Sequence, residues 1–496
     1  MKHGRLIFSS TDLCRYINSI EYVYQQKGNR MKPFAVIFGS NISEIQKRAV
    51  EELSKILLDE TLEYPVCREY KEDADMSDYT GIYLGTKESH SYIREHSQRE
   101  LTKPEEYCLR VEKDHVIIEG YDDAGVLYGA IDFYNRYILK HEHPDRGLCW
   151  LNAAGEDGLV PFEYASSPSV RERGLWTWGH VIYDYRGYID HMMKLKMNSV
   201  IIWNDFAPVN ARDIIDYAHA RNVKVIWGFS WLWDTHCERA DLRHLDGCAE
   251  TILAKYESEY ADLGVDGIYF QTFTELKSDR IDGVVIAKAA ADLVNETAAR
   301  FYERHPTLEL QFGLHATSVK NRLAFIGAVD SRIRIVWEDC GAFPFSYDPC
   351  DVSGFEETQA FVGTVARLRG ENDRFGVVTK GLVNLDWAKF EYARGAYCPG
   401  VSSEWMKKNR TEQKRKIWRY IQSGWLRHSD KAHEAVREMC RIKNGDLCIY
   451  ALVEDGMFEE NIMYPVALYS EMLWDCECDL DQTIQDVARR SYVTFA

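Results

Sequence analysis

The sequence predicts an α/β fold, a (β/α)8 TIM barrel preceded by a small α/β domain and followed by C-terminal helices. Three observations carry that expectation. Six apolar, aromatic-rich runs, at 200–205, 225–231, 267–275, 310–315, 333–339 and 376–382, each end in polar residues. Segments able to form helices separate neighbouring runs, so the strands should be parallel and joined by right-handed crossovers. Glu275, Glu338 and Asp339 fall at the same ends of their runs, where a barrel gathers its chemistry.

At 496 residues the chain is long enough for two or three domains. We place the small α/β domain at 1–150, the barrel at 170–405 and the helical region at 406–496. With 46% hydrophobic and 28% charged residues the composition is that of a soluble protein. A formal charge of −18 argues against nucleic acid or an anionic membrane surface as partner, although one local basic pocket remains compatible with it. The N-terminus lacks the apolar core of a signal peptide, and no segment approaches the ~20 apolar residues of a membrane span, so a cytoplasmic location is expected. The thirteen cysteines show no repeating spacing and read as reduced thiols. Cys476 and Cys478 form the one tight pair, which without a second pair or nearby histidines is weak evidence for metal; we expect neither metal nor cofactor.

In the first domain, 33–39 reads as a strand and Ser43 as the N-cap of a helix, with Gln46 in the capping-box position. Its apolar face runs through Ile45, Ala49, Leu53 and Ile56 or Leu57. A second strand covers 81–86. The runs 107–111 and 116–119 flank Lys113-Asp114 as a hairpin, and an acidic start at Asp122-Asp123 opens an amphipathic helix. Gly85 and Gly120 read as turns needing positive φ, since no G-x-G-x-x-G or P-loop pattern occurs. Residues 152–169 look like a linker.

The first barrel strand is expected at 173–179, followed by a helix over 185–196. Further helices are expected at 211–221, with Asn222 as C-cap, at 249–263, stopped by Gly264, and at 283–305, followed by Pro306. Segments 321–329 and 355–368 continue the alternation. The eighth strand is placed at 397–403. Beyond it, 410–442 and 482–492 read as helices outside the barrel.

Three segments of the first quarter of the chain, 82–86, 106–111 and 118–130, resemble the non-catalytic domain that precedes the barrel in glycoside hydrolases of family 20 (β-N-acetylhexosaminidases) and family 67 (α-glucuronidases). A shorter stretch, 467–475 with 479–484, resembles the helical C-terminal part of family 67 enzymes, where a tryptophan-aspartate pair also precedes a helix. The resemblance implies an enzyme cleaving O-glycosyl bonds of a carbohydrate substrate.

Glycosidic cleavage commonly uses two carboxyl groups, one donating a proton to the leaving oxygen and one acting as nucleophile or base. Glu275 lies just past the fourth strand, where both families place their acid, so it is the candidate general acid. The apolar flank of Phe273 is expected to raise its pKa. Family 20 enzymes carry Asp-Glu there; this chain has Thr274-Glu275, and threonine cannot supply the charge that substrate-assisted chemistry needs. The partner is Asp339 or Glu338, because alternation turns only one of them toward the barrel axis. Asp386 is a third candidate, and an ion pair with Arg334 or Lys380 is the structural alternative for each. Trp178, Trp231, Trp233, Trp337 and Trp387 offer indole surfaces for sugar rings, against the alternative of core packing. Asn204, His236 and His315 can hydrogen-bond hydroxyls. A family 67-like uronic acid would need a cation, for which Lys380, Arg186, His236 and Lys320 are candidates. The competing readings are a β-N-acetylhexosaminidase-like enzyme and a carbohydrate-binding protein that has lost turnover.

Overall fold

A computed structural model of the chain describes residues 32–141, 158–232, 242–315, 317–338, 341–370, 374–383, 394–443, 446–453 and 457–496. It divides into two compact units, Met1–Ser166 and Ser167–Ala496. No helix among the described residues is long and apolar enough to cross a membrane.

The first unit contains β1 (Phe34–Phe38), α1 (Glu44–Thr61), β2 (Val66–Glu69), β3 (Thr80–Gly85), α2 (Ser91–His96), β4 (Tyr107–Val111), β5 (His115–Gly120), α3 (Asp123–Asp132) and β6 (Phe162–Ser166). The six strands form one sheet in the order β2-β1-β3-β5-β4-β6. β1 is parallel to β2 and β3, β3 is parallel to β5, and β4 is antiparallel to β5 and β6. Ser43 caps α1 as the sequence predicts, its hydroxyl accepting the Gln46 N–H at 3.1 Å. Asp122 caps α3 in the same way, accepting the Gly125 N–H at 2.9 Å. Two expectations need correction. The stretch read as a linker contains β6, an edge strand whose side chains stay partly exposed and so carry a weak apolar signal. Gly120 does not take a positive φ; a Cβ there would lie 2.3 Å from the Val126 nitrogen, so close approach of α3 explains the glycine.

The second unit runs β7 (Glu172–Trp178), α4 (Tyr185–Lys194), β8 (Ser199–Trp203), α5 (Ala211–His219), β9 (Lys224–Gly228), α6 (Cys248–Glu259), β10 (Gly267–Phe270), α7 (Ile286–Arg304), β11 (Glu309–Leu314), α8 (Leu323–Ile326), β12 (Arg334–Trp337), α9 (Phe355–Ala366), β13 (Phe375–Leu382), α10 (Glu404–Ile442), β14 (Leu447–Val453), α11 (Tyr464–Trp474) and α12 (Leu480–Ala488). Strands β7 to β14 close a barrel in chain order, every neighbouring pair parallel.

The eighth strand is β14, not 397–403. That segment contributes only an isolated antiparallel bridge between Val401 and Asp184. Helix α10, expected outside the barrel, is the crossover that delivers β14. The physical reason is burial: β14 is buried along its whole length, as a strand enclosed on both faces requires, whereas only Pro399 and Gly400 of 397–403 are buried.

Alternation along each strand separates two apolar layers. Ile335, Trp337, Ile268, Phe270, Trp227 and Phe312 pack outward, in the core shared with the helices. Trp176, Trp178, Ile201, Ile226, Tyr269, Val336, Val378 and Tyr450 pack together inside the barrel. At the N-terminal ends of the strands, the almost wholly buried Arg334 side chain meets Glu309 at 3.0 Å, Asp446 at 3.0 Å and Glu172 at 3.3 Å. Lys224 lies 3.3 Å from Glu172. Burial acts to raise the Glu309 and Asp446 carboxyls, but the Arg334 charge outweighs it and both stay below their ordinary values.

Because these folded-state pKa values are depressed, the stability they supply is present above the unfolded carboxylate range and is lost as pH falls through the folded values. Replacing Arg334 by Met strands the carboxylates, and the expected cost is about 3–5 kcal/mol at neutral pH. Urea unfolding checks this. The penalty should shrink below about pH 4, where the carboxylates protonate; a small, pH-independent penalty would show that the cluster is not the floor of the barrel.

Candidate active site

The strand alternation that sets Arg334 at the floor brings Glu338, four residues on, to the C-terminal mouth. Glu338 is buried. Its Oε1 accepts hydrogen bonds from the Tyr269 hydroxyl and the Gln271 side-chain amide, both from the adjoining end of β10. His315 Nε2, just past β11, lies 3.5 Å from the same oxygen. Both of these hydrogen bonds fall on Oε1. Gly313 makes the arrangement possible: a Cβ there would sit 2.1 Å from the Tyr269 hydroxyl and 2.6 Å from Glu338 Oε1.

Burial raises the Glu338 pKa above the ordinary carboxylate value, against the opposing charge of Lys380 and the two donated hydrogen bonds. Lys380, at the mouth end of β13, is itself buried and lies 4.7 Å from the centre of the Tyr347 ring. Burial, then the neighbouring Glu338 charge, holds the Tyr269 phenol well above its usual pKa, so it stays a donor.

Aromatic rings and an amide line the mouth on the β7 and β8 side. Trp178 stands edge-on to Trp176 at 4.8 Å, and half-buried Trp203 lies over Trp176 at 6.3 Å. Asn204, just past β8, accepts the Tyr397 hydroxyl at its side-chain oxygen, and its backbone carbonyl accepts the Tyr260 hydroxyl at 3.1 Å. Its side-chain nitrogen is buried without a partner among the described residues. The absent side chain of Gly179 leaves room for this pair, since a Cβ would meet Asn204 Oδ1 at 2.1 Å.

The structure thus gathers Glu338, His315 and Lys380 in one cluster, with Trp178 and Asn204 in the mouth wall. It separates others from them. Glu275 sits in a short 3-10 turn after β10 and is exposed, while Phe273 turns into the outer core, so no apolar flank desolvates the carboxyl as expected. Trp231 stacks on Phe270 at 3.5 Å and on Phe301 of α7 at 5.6 Å; Trp337 packs against Phe345 and Phe361. Both indoles are buried in the core shared by strands and helices, the packing alternative to a sugar-contacting role. Arg334 is at the opposite end from Glu338 and does not pair with it. Arg186 lies against Tyr185 and Tyr217, and Lys320 over Phe361. Asp339, Trp233, His236, Asp386 and Trp387 lie outside the described residues. Tyr269, Gln271 and Tyr397 were not singled out in the sequence. The spacing Tyr269-x-Gln271 on an alternating strand is the signal that could have found the first two. No group of three or more His, Cys, Asp or Glu side chains among the described residues is arranged to hold a metal ion.

No family model matches the chain, and no curated protein matches it. Solved structures do. The protein described as CpGH84B gives a TM-score of 0.53 at 12% identity, covering 92% of this chain and 70% of its own. CpGH84D gives 0.51 at 14%, covering 92% and 68%. A GH138 enzyme described as targeting pectin rhamnogalacturonan II gives 0.51 at 11%, covering 91% of this chain, which spans 65% of that protein's length. What is shared at such identities is the fold.

A raised carboxyl pKa has a measurable sign. Its contribution to stability is full below the unfolded glutamate value and is lost as pH rises through the folded one. Glu338→Gln removes that loss, so the stability of the variant relative to wild type should increase between about pH 4 and pH 8. Thermal unfolding across this range checks it, and a constant difference would mean that Glu338 titrates as an ordinary glutamate.

Proposed function

We propose that the chain is a glycoside hydrolase acting on the ends of short oligosaccharides or glycosides, with Glu338 as the carboxyl that gives its proton to the leaving oxygen. One observation carries the reading: a buried carboxyl with a raised pKa, held through one oxygen at the C-terminal mouth of a parallel barrel. Glu275, exposed after β10, is the second carboxylate, acting on water or as nucleophile; Asp339 is its alternative. Burial thus exchanges the roles expected of the two glutamates. Trp178 and Trp203 supply surfaces suited to the C–H face of a sugar. Lys380 and His315 beside Glu338 favour a uronic acid among substrates. The shared fold with GH84 and GH138 proteins supports the hydrolase class by analogy, and the finer likeness to families 67 and 20 rests on the sequence segments alone.

The test is kinetic. A panel of 4-nitrophenyl glycosides and uronosides and the matching disaccharides is assayed with wild type, Glu338→Gln and Glu275→Gln. Loss of the proton donor should lower kcat/KM on disaccharides by about 10²–10⁴-fold, and by far less on 4-nitrophenyl substrates, whose leaving group needs no proton. Glu275→Gln should impair both classes alike. Full activity in Glu338→Gln overturns the assignment. The near-complete enclosure of Glu338 favours a second reading, a sugar-binding protein without turnover, and sugar binding with no hydrolysis of any substrate by wild type would support it.

A further inference from the structure

A cavity of about 750 Å³ opens on the first unit, between the end of α2 and the turn that joins β4 to β5. That size falls within the ~300–1,000 Å³ of small-molecule sites. Part of its wall is the end of an aromatic column. The Tyr83 and Tyr92 rings stack at 3.9 Å and 15°, and Tyr92 stacks in turn on His96 at 3.9 Å and 16°. Tyr83 is buried at the base of the column, and His96 is exposed at its other end. His115 stands edge-on to Tyr92 at 6.5 Å. Both imidazoles are held in one tautomer. His96 Nδ1 donates to the Tyr92 carbonyl at 2.9 Å and His115 Nδ1 to the Asp114 carboxylate at 2.8 Å, so Nε2 is the acceptor of each neutral ring.

The rest of the lining mixes donors and acceptors. Arg110 is buried, and its guanidinium donates to the His96 carbonyl at 2.9 Å. Its Nε is buried without a hydrogen-bond partner among the described residues, with a Glu112 carboxylate oxygen 3.5 Å away as an ion pair. Glu95, Asp114, Lys113 and Gln98 also line the cavity. Three carboxylates disfavour an anionic ligand, and the charges of Arg110 and Lys113 disfavour a cationic one. Hydroxyl groups suit such a lining, because each can donate to a carboxylate and accept from a guanidinium or ammonium.

We propose that this cavity is a second carbohydrate site, which binds one neutral sugar residue of a mono- or oligosaccharide. The C–H face of the sugar lies on His96, extending the column by one ring. Its hydroxyls accept from Arg110 Nε and donate to Glu112 and Asp114. Binding there involves no covalent step. The site lies wholly in the first unit and stands whether or not the barrel turns over a substrate.

Histidine labelled with carbon-13 makes the test local. The imidazole signals of His96 and His115 are identified in the full chain with His96→Gln and His115→Gln. They are then followed as D-glucose, D-galactose, D-xylose, cellobiose or xylobiose is added. The expected result is a saturable shift of both signals with one shared Kd for at least one of the five. Followed at His115, His96→Ala should weaken that binding about tenfold, with an unchanged Tm because the side chain is exposed. Arg110→Lys, which keeps the charge and loses Nε, should weaken it as well. No shift with any of the five sugars, unchanged affinity in His96→Ala, or tighter binding of D-glucuronate than of every neutral sugar would each overturn the proposal.

Discussion

The buried ion cluster around Arg334 is the constraint on which the rest of the barrel depends. One guanidinium serves carboxylates from β7, from β11 and from the residue preceding β14, so strands on different sides of the barrel meet at a single charge. A buried cation without these partners would be costly, which makes the register of β12 hard to change. A slip of one residue would put Ile333 in place of Arg334 at the floor. It would also exchange Glu338 with Trp337 at the mouth. The charge at one end therefore fixes which side chain is offered at the other.

Much of this order was legible because burial on both faces leaves a near-continuous apolar run in the sequence, and seven of the eight strands announce themselves that way. The eighth did too, at 447–453, but an extended, glycine-containing segment nearer the seventh strand competed for the assignment. A crossover helix of 39 residues separates β13 from β14, which is far outside the usual spacing. Edge strands β2 and β6 were missed for the opposite reason, since the side chains of β2 lie mostly in solvent and those of β6 stay partly exposed.

The site was legible in position and not in role. Alternation correctly narrowed the sixth tip to one inward residue of two, yet it could not say how deep a side chain would be buried. Glu275 and Glu338 look alike in sequence; the fold exposes one and encloses the other. Trp231 and Trp337 show the same limit, because an indole at a strand tip can point to either layer. The hydrogen-bond partners of Glu338 come from the end of β10, two strands away, and only the register of β10 against β11 and of β11 against β12 makes Tyr269, Gln271 and Gly313 meet it.

The late position of β14 has a consequence for synthesis. The strands emerge in the order in which they sit around the barrel, so a growing chain can lay down β7 to β13 as an open, curled sheet with two exposed edges. Closure must wait until the whole of α10 and then residue 453 have left the ribosome. During that interval the edges of β7 and β13 are the surfaces most open to pairing with another chain, and a nascent polypeptide of this length is most in need of protection there.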